Sequence, residues 1–149
     1  MIKTLTKGLA LAFLLITAVS CGSDDEGPDT EAPTVTIQTP AADQEFGKGG
    51  MIPLKATFKD NKALSKCTVS LTFNAAPVSG NALKGISDPY APEDAIITLS
   101  GTEDKKELTN IFTTKIDALC KSGDYTLSFV VEDATGNKSK AKTLDIIIR

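Results

Sequence analysis

The chain lacks histidine and tryptophan altogether, and among its 149 residues there are only three cysteines, two tyrosines and six phenylalanines. Without imidazole there is no Ser-His-Asp triad, no Cys-His pair and no zinc site built on histidine nitrogen, which removes the commonest hydrolytic and metalloenzyme designs. Positive charge is not in excess either: 16 Lys and Arg stand against 19 Asp and Glu, a net of −3, so the footprint of a nucleic-acid binder is missing. No nucleophile elbow, glycine-rich phosphate loop or metal-ligand spacing occurs. These absences point to a protein that is not an enzyme, holds no organic cofactor and has no nucleic-acid partner. The length fits one ordinary domain.

Long hydrophobic runs are scarce as well. The longest, Leu9 to Val19 broken only by Thr17, follows Lys3 and Lys7 with no acidic residue before it. Such a run reaches only about half of the ~30 Å hydrocarbon thickness, so residues 1–20 read as a secretory signal peptide and not as a permanent span. At its end, Leu15-Ile16-Thr17-Ala18-Val19-Ser20-Cys21-Gly22 resembles a bacterial lipobox, in which small residues precede a cysteine that is lipidated and becomes the new N-terminus. The resemblance implies covalent lipid on Cys21 and a membrane partner reached through it. Several acyl chains hold a protein far more firmly than one myristoyl group does.

Residues 21–31 read as an acidic flexible tether, because Gly22 to Glu31 contains five acidic residues and no large apolar side chain. Ser23-Asp24-Asp25-Glu26 resembles the acidic export signal of Bacteroidota-type lipoproteins, which implies an outer-membrane address with exposure at the cell surface. Removal of residues 1–20 leaves 129 residues and a net charge of −5. The mature chain is acidic.

From residue 32 to 149 the pattern changes to short alternating runs punctuated by Gly, Pro, Asp and Asn, without helical periodicity, and this predicts an all-β domain. Cys67, Val69, Leu71 and Phe73 alternate with Thr68, Ser70 and Thr72; Tyr125, Leu127, Phe129 and Val131 form a second such row, and Leu144, Ile146 and Ile148 a third. Further strands are expected around Val35 and Ile37, Ile52 to Phe58, Ala95 to Leu99, and Leu108 to Ile116. About seven antiparallel strands in a chain of this length predict an immunoglobulin-like β-sandwich. Gly136-Asn137 supplies the turn chemistry for the last hairpin.

These residues also carry a family likeness. Ala32-Pro33-Thr34-Val35-Thr36-Ile37, Phe46-Gly47-Lys48-Gly49, Phe58-Lys59-Asp60-Asn61, and Gly123-Asp124-Tyr125 followed by Asp133 to Asn137 resemble the bacterial Ig-like modules of surface lipoproteins. The likeness implies the sandwich fold and says little about biochemical role. Leu119 and Tyr125 together resemble a tyrosine corner, which implies a phenol bonded to nearby backbone.

Three groups of residues are candidates for chemistry. Cys67 and Cys120 invite a disulfide in an exported domain. In a sandwich, however, antiparallel strands put them at opposite ends, ~20 Å apart, whereas bridged Cα atoms must lie within ~7 Å, so two separately buried thiols are expected. Glu31, Asp60, Asn61, Glu132 and Asp133 converge on one pole of such a fold and could supply hard oxygen ligands to Ca²⁺. Side-chain-to-backbone hydrogen bonds in turns account for the same residue types. The segment from Asn74 to Asp94, with Pro77, Pro89 and Pro92, is longer than most connections in a compact domain and reads as a recognition loop with Tyr90 as its contact residue. The alternative is that it drapes over an open sheet edge.

The function expected from these features is a membrane-anchored, non-enzymatic Ig-like surface module that recognises a protein or, less readily, a glycan, since stacking aromatics are few. The alternative is a structural spacer subunit of an outer-membrane uptake or adhesion assembly. A carboxylate hydrolase would require two facing acids in a cleft. Cys21→Ala is expected to move the protein out of the membrane fraction while its far-ultraviolet spectrum stays unchanged; retention in the membrane fraction would contradict lipidation.

Overall fold

The computed structural model describes residues 27–75 and 88–149. Cys21, the export-signal residues Ser23, Asp24, Asp25 and Glu26, and Pro77 lie outside the described residues. Eight strands occur among those described: β1 (Thr34–Thr39), β2 (Gln44–Phe46), β3 (Leu54–Lys59), β4 (Leu64–Ala75), β5 (Ala95–Thr98), β6 (Glu103–Leu108), β7 (Gly123–Asp133) and β8 (Lys142–Ile148). They form a three-stranded sheet in the order β1-β3-β6 and a five-stranded sheet in the order β2-β8-β7-β4-β5. This is an all-β, immunoglobulin-like sandwich.

The two sheets share one core because their period-2 rows face each other. β3 contributes Leu54, Ala56 and Phe58, and the opposite sheet contributes Cys67 and Val69 of β4, Ile146 and Ile148 of β8, and a row from β7. In that row Tyr125, Leu127, Phe129 and Val131 are each 0% exposed, and the alternation carries on to Asp133 at 2%. β7 pairs with β4 from Tyr125↔Phe73 to Asp133↔Leu64, and with β8 on its other side. A strand flanked on both sides has its register fixed, since a one-residue slip would turn the whole row to solvent.

Two elements differ from the sequence reading. A strand was expected over Leu108 to Ile116, but the strand is Glu103–Leu108, and beyond it Ile111, Phe112 and Ile116 enter the core from an irregular segment. β6 has no apolar row because it is an edge strand, and charge on an edge discourages pairing with other chains. Its acids meet β3 lysines across the register, Glu103 with Lys59 at 3.1 Å and Glu107 with Lys55 at 4.0 Å. These exposed pairs set partner choice more than stability. The second difference is β2, three residues that pair in parallel with β8, so the chain crosses from one sheet to the other between β1 and β2. Three residues are too few to show a period.

Cys67 and Cys120 are free and buried, as topology requires. Cys67 sits opposite Val131 of β7, whereas Cys120 lies beside Tyr125, six positions along the same strand, ~20 Å away. Burial pushes the Cys67 thiol up to about 12, against a smaller lowering by the backbone at Val130, so it remains an unreactive core group.

Phe129 stands at the middle of the buried row. Phe129→Ala is expected to cost about 3–5 kcal/mol in denaturant unfolding. A loss below about 1 kcal/mol would mean that the ring does not face the core.

Candidate functional site

β7 runs the full height of the sandwich, ~33 Å for its eleven residues, and each end of its buried row is polar. Asp133 ends the row at one pole, and Tyr125 lies near its start at the other. Each organises the loops around it.

Asp133 is buried because strand parity points it inward. Its Oδ1 accepts from Thr135 N at 2.8 Å, Thr135 Oγ1 at 2.9 Å and Asn137 N at 2.8 Å, while Oδ2 accepts from Asn137 Nδ2 at 2.7 Å. Burial by itself pushes this carboxyl up; the donors of Asn137 and Thr135 together outweigh it and hold the group below the usual Asp value. The same bonds close the turn to β8, in which Gly136 adopts a φ of 96°. The hairpin expected at Gly136-Asn137 is present, and Asp133 is its organising residue.

Two further carboxylates meet Asp133. Asp60, at the end of β3, accepts through Oδ2 from Lys62 N at 3.0 Å and Ala63 N at 2.8 Å, an Asx turn that starts the β3–β4 connection. Asp29, just before β1, accepts through Oδ1 from Glu31 N at 3.1 Å and Asn61 Nδ2 at 3.0 Å, and its carbonyl accepts from Asn137 Nδ2 at 3.0 Å. One ligand oxygen from each of Asp29, Asp60 and Asp133 lies within 4.8 Å of the others. Asp29 Oδ2 and Asp60 Oδ1 are sealed from solvent and have no hydrogen-bond partner among the described residues. An orphaned carboxylate oxygen in such surroundings is costly unless something positive shares the space.

Of the expected calcium ligands, then, the structure brings Asp60 and Asp133 together and adds Asp29. Glu31 is exposed, and Asn61 is exposed and donates to Asp29. Glu132, on the opposite face of β7, pairs with Lys66 and Lys138, each at 3.5 Å. Asp29 escapes a sequence reading because it has the composition of a tether. In the structure Gly27 to Glu31 dock on the pole instead, with Gly27 O accepting from Lys62 Nζ at 3.1 Å.

At the other pole the tyrosine corner is made. Tyr125 Oη donates to Lys121 O at 2.7 Å and accepts from Tyr90 N at 3.1 Å. Tyr90 was expected to be an exposed contact residue, but it is 6% exposed: its ring meets Phe112 edge to face, with centroids 6.3 Å apart, and its hydroxyl donates to Thr114 O at 2.9 Å. A proline-flanked aromatic reads as a loop tip, yet here it nails the end of the long segment to the core. Among the described residues, Pro89, Ala91, Pro92, Glu93, Thr113 and Lys115 line a surface groove of about 650 Å³. Asn74, at the start of the segment, is held on the sheet surface by a 2.6 Å bond from Nδ2 to Thr126 Oγ1.

The model of a protein family described as a domain of unknown function, DUF4625, matches residues 19–149. Among solved structures, the chain is similar to the fibronectin(III)-like modules of CbhA from Clostridium thermocellum, with 22% identity, a TM-score of 0.42, and coverage of 77% of this chain and 94% of that one. It is also similar to BslA, a bacterial hydrophobin, with 17% identity, a TM-score of 0.30, and coverage of 79% and 98%. No curated protein matches.

Tyr125→Phe removes both bonds of the corner and leaves Tyr90 N unpaired in a buried site. A loss of about 1–3 kcal/mol is expected by chemical denaturation. Unchanged stability would mean that the corner is not formed in solution.

Proposed function

The chain belongs to the DUF4625 family, and on that premise we propose that it is a membrane-anchored, non-enzymatic Ig-like surface module that recognises a protein at the pole remote from its anchor. The observation that carries this reading is the placement of the two poles on β7. Gly27, the first described residue after the lipobox cysteine, docks at the Asp133 end, and the groove beside Pro89 and Pro92 opens at the Tyr125 end. By chain length alone, Cys21 and Gly27 are at most about 20 Å apart, so a lipid on Cys21 would hold the Asp133 end near the membrane and present the groove outward.

Three features support recognition of protein over the other readings. The groove is built from the long segment and from the loop after β6, and a pure spacer would not need it. Both tyrosines are in the core, which leaves neither for stacking on a sugar. The clustered carboxylates are closer together than the ~5–5.5 Å of a retaining glycosidase pair, and those of Asp29 and Asp60 present sealed oxygens that no substrate reaches. In this reading the Ser23 to Glu26 motif directs the protein to the outer face of the outer membrane.

A photo-crosslinking residue at Ala91, in the groove, is expected to give a discrete protein adduct on intact cells, while the same residue at exposed Lys140 near the other pole gives none. Adducts from neither position, or equally from both, would contradict recognition at the groove.

A further inference from the structure

We propose that β5 is a pairing edge through which two copies of this chain join their five-stranded sheets, antiparallel and about a two-fold axis at Ile96. This inference concerns the side of the sandwich and rests neither on the groove nor on acylation.

Among the described residues the two sheets end in four edge strands, and three of them are guarded. β6 carries charge at every position from Glu103 to Glu107. β1 lies between Pro33 and Pro40 and has an irregular register between Ile37 and Thr39, and β2 is three residues long. Charge, proline, irregularity and shortness are the devices that keep an edge from adding another strand. β5 has no charge, no proline and no break in its register with β4, and its Ile96 points outward, 69% exposed. Only its length, four residues, limits it.

The alternation of the ladder decides which backbone groups are open. Leu99 N donates to Ser65 O at 2.8 Å, so Leu99, and with it Ile97 and Ala95, turns its N–H and C=O toward β4. Asp94, Ile96 and Thr98 turn theirs to the free side. In a second copy laid antiparallel with Ile96 opposite Ile96, Asp94 falls opposite Thr98, and these three residues of each copy pair only with one another. The neighbouring registers that keep both outer faces on one side are worse. One brings Thr98 against Pro92, which has no N–H to give. The other brings Asp94 against Ser100, whose N–H is already given to Asp104 Oδ2 at 3.0 Å.

Charge selects a second copy in this direction. On the outer face the row reads Glu132, Lys66, Thr98 and then Asp94 of the second copy, so each acid comes toward the other chain's lysine. A parallel pairing in register would set Asp94 beside Asp94 instead. At the axis the exposed side chain of Ile96 is covered by its own counterpart, which is the isologous contact of a closed dimer. The contact is small against the about 800 Å² per partner of a stable complex, so the dimer is a weak one that forms at high local concentration.

The test is disulfide trapping of the full chain in detergent under mild oxidation. Residues opposite each other on such a ladder have Cα atoms about 5.5 Å apart, within disulfide reach, whereas the two copies of Thr98 stand about 13 Å apart. Ile96→Cys is expected to give about tenfold more linked dimer than Thr98→Cys. An equal mixture of Asp94→Cys and Thr98→Cys chains is expected to link across the pair, while neither links to itself. Cys67 and Cys120 are buried, and the parent chain, which keeps Cys21, gives the background. Adding Ile96→Lys to both members of the mixture is expected to abolish the link with the far-ultraviolet spectrum unchanged. Equal linkage at positions 96 and 98, no link above background in Ile96→Cys or in the mixture, or a link that survives Ile96→Lys would each overturn pairing between copies at β5.

Discussion

The inward-facing row of β7 is the constraint on which the rest of the structure depends. Its side chains at alternate positions from Tyr125 to Val131 are completely buried, and the strand is paired on both sides, so nothing in the row can shift without moving the core. The same parity decides the two ends. It drives a phenol inward near the start, where the hydroxyl must find backbone partners, and a carboxylate inward at the finish, where it must find donors or a cation. Both poles are consequences of polar residues standing in a hydrophobic register.

Each polar end recruits loops in proportion to the hydrogen bonds it must satisfy. Tyr125 fastens Lys121 and Tyr90, and through Tyr90 it fixes Thr114, so the walls of the groove are held by bonds that run back to the core. Asp133 orders the turn containing Thr135 and Asn137, and Asn137 reaches the carbonyl of Asp29. The groove is therefore a rigid feature on a scaffold. The acidic pole is a junction between scaffold and entry segment.

Much of this was legible in the sequence, and the reasons for the exceptions are physical. β4, β7 and β8 each bury one face, so their alternation is visible, and from it follow the sandwich, the separation of Cys67 from Cys120 and the corner at Tyr125. β6 is invisible because an edge strand carries Glu103, Asp104, Lys105 and Lys106 in place of an apolar row. Tyr90 misleads because flanking prolines signal a loop and give no sign that the loop folds over the core. Asp60 and Asp133 can be assigned to one pole from topology alone. Asp29 cannot, since nothing in its local sequence distinguishes a docked acid from an acid of a tether; only the three-dimensional pairing with Asn61 and Asn137 does.

The central claim is that the inward row of β7 places a bonded phenol at one pole and a bonded carboxylate at the other, and that these fasten the loops to the core. The most direct measurement is native-state amide hydrogen exchange of the protein. The account predicts that the amides of β7 exchange only on global unfolding and that the Tyr90 amide, bonded to the Tyr125 hydroxyl, is protected with them. Exchange of the Tyr90 amide and of the β7 amides at the rate of exposed loop amides would contradict it.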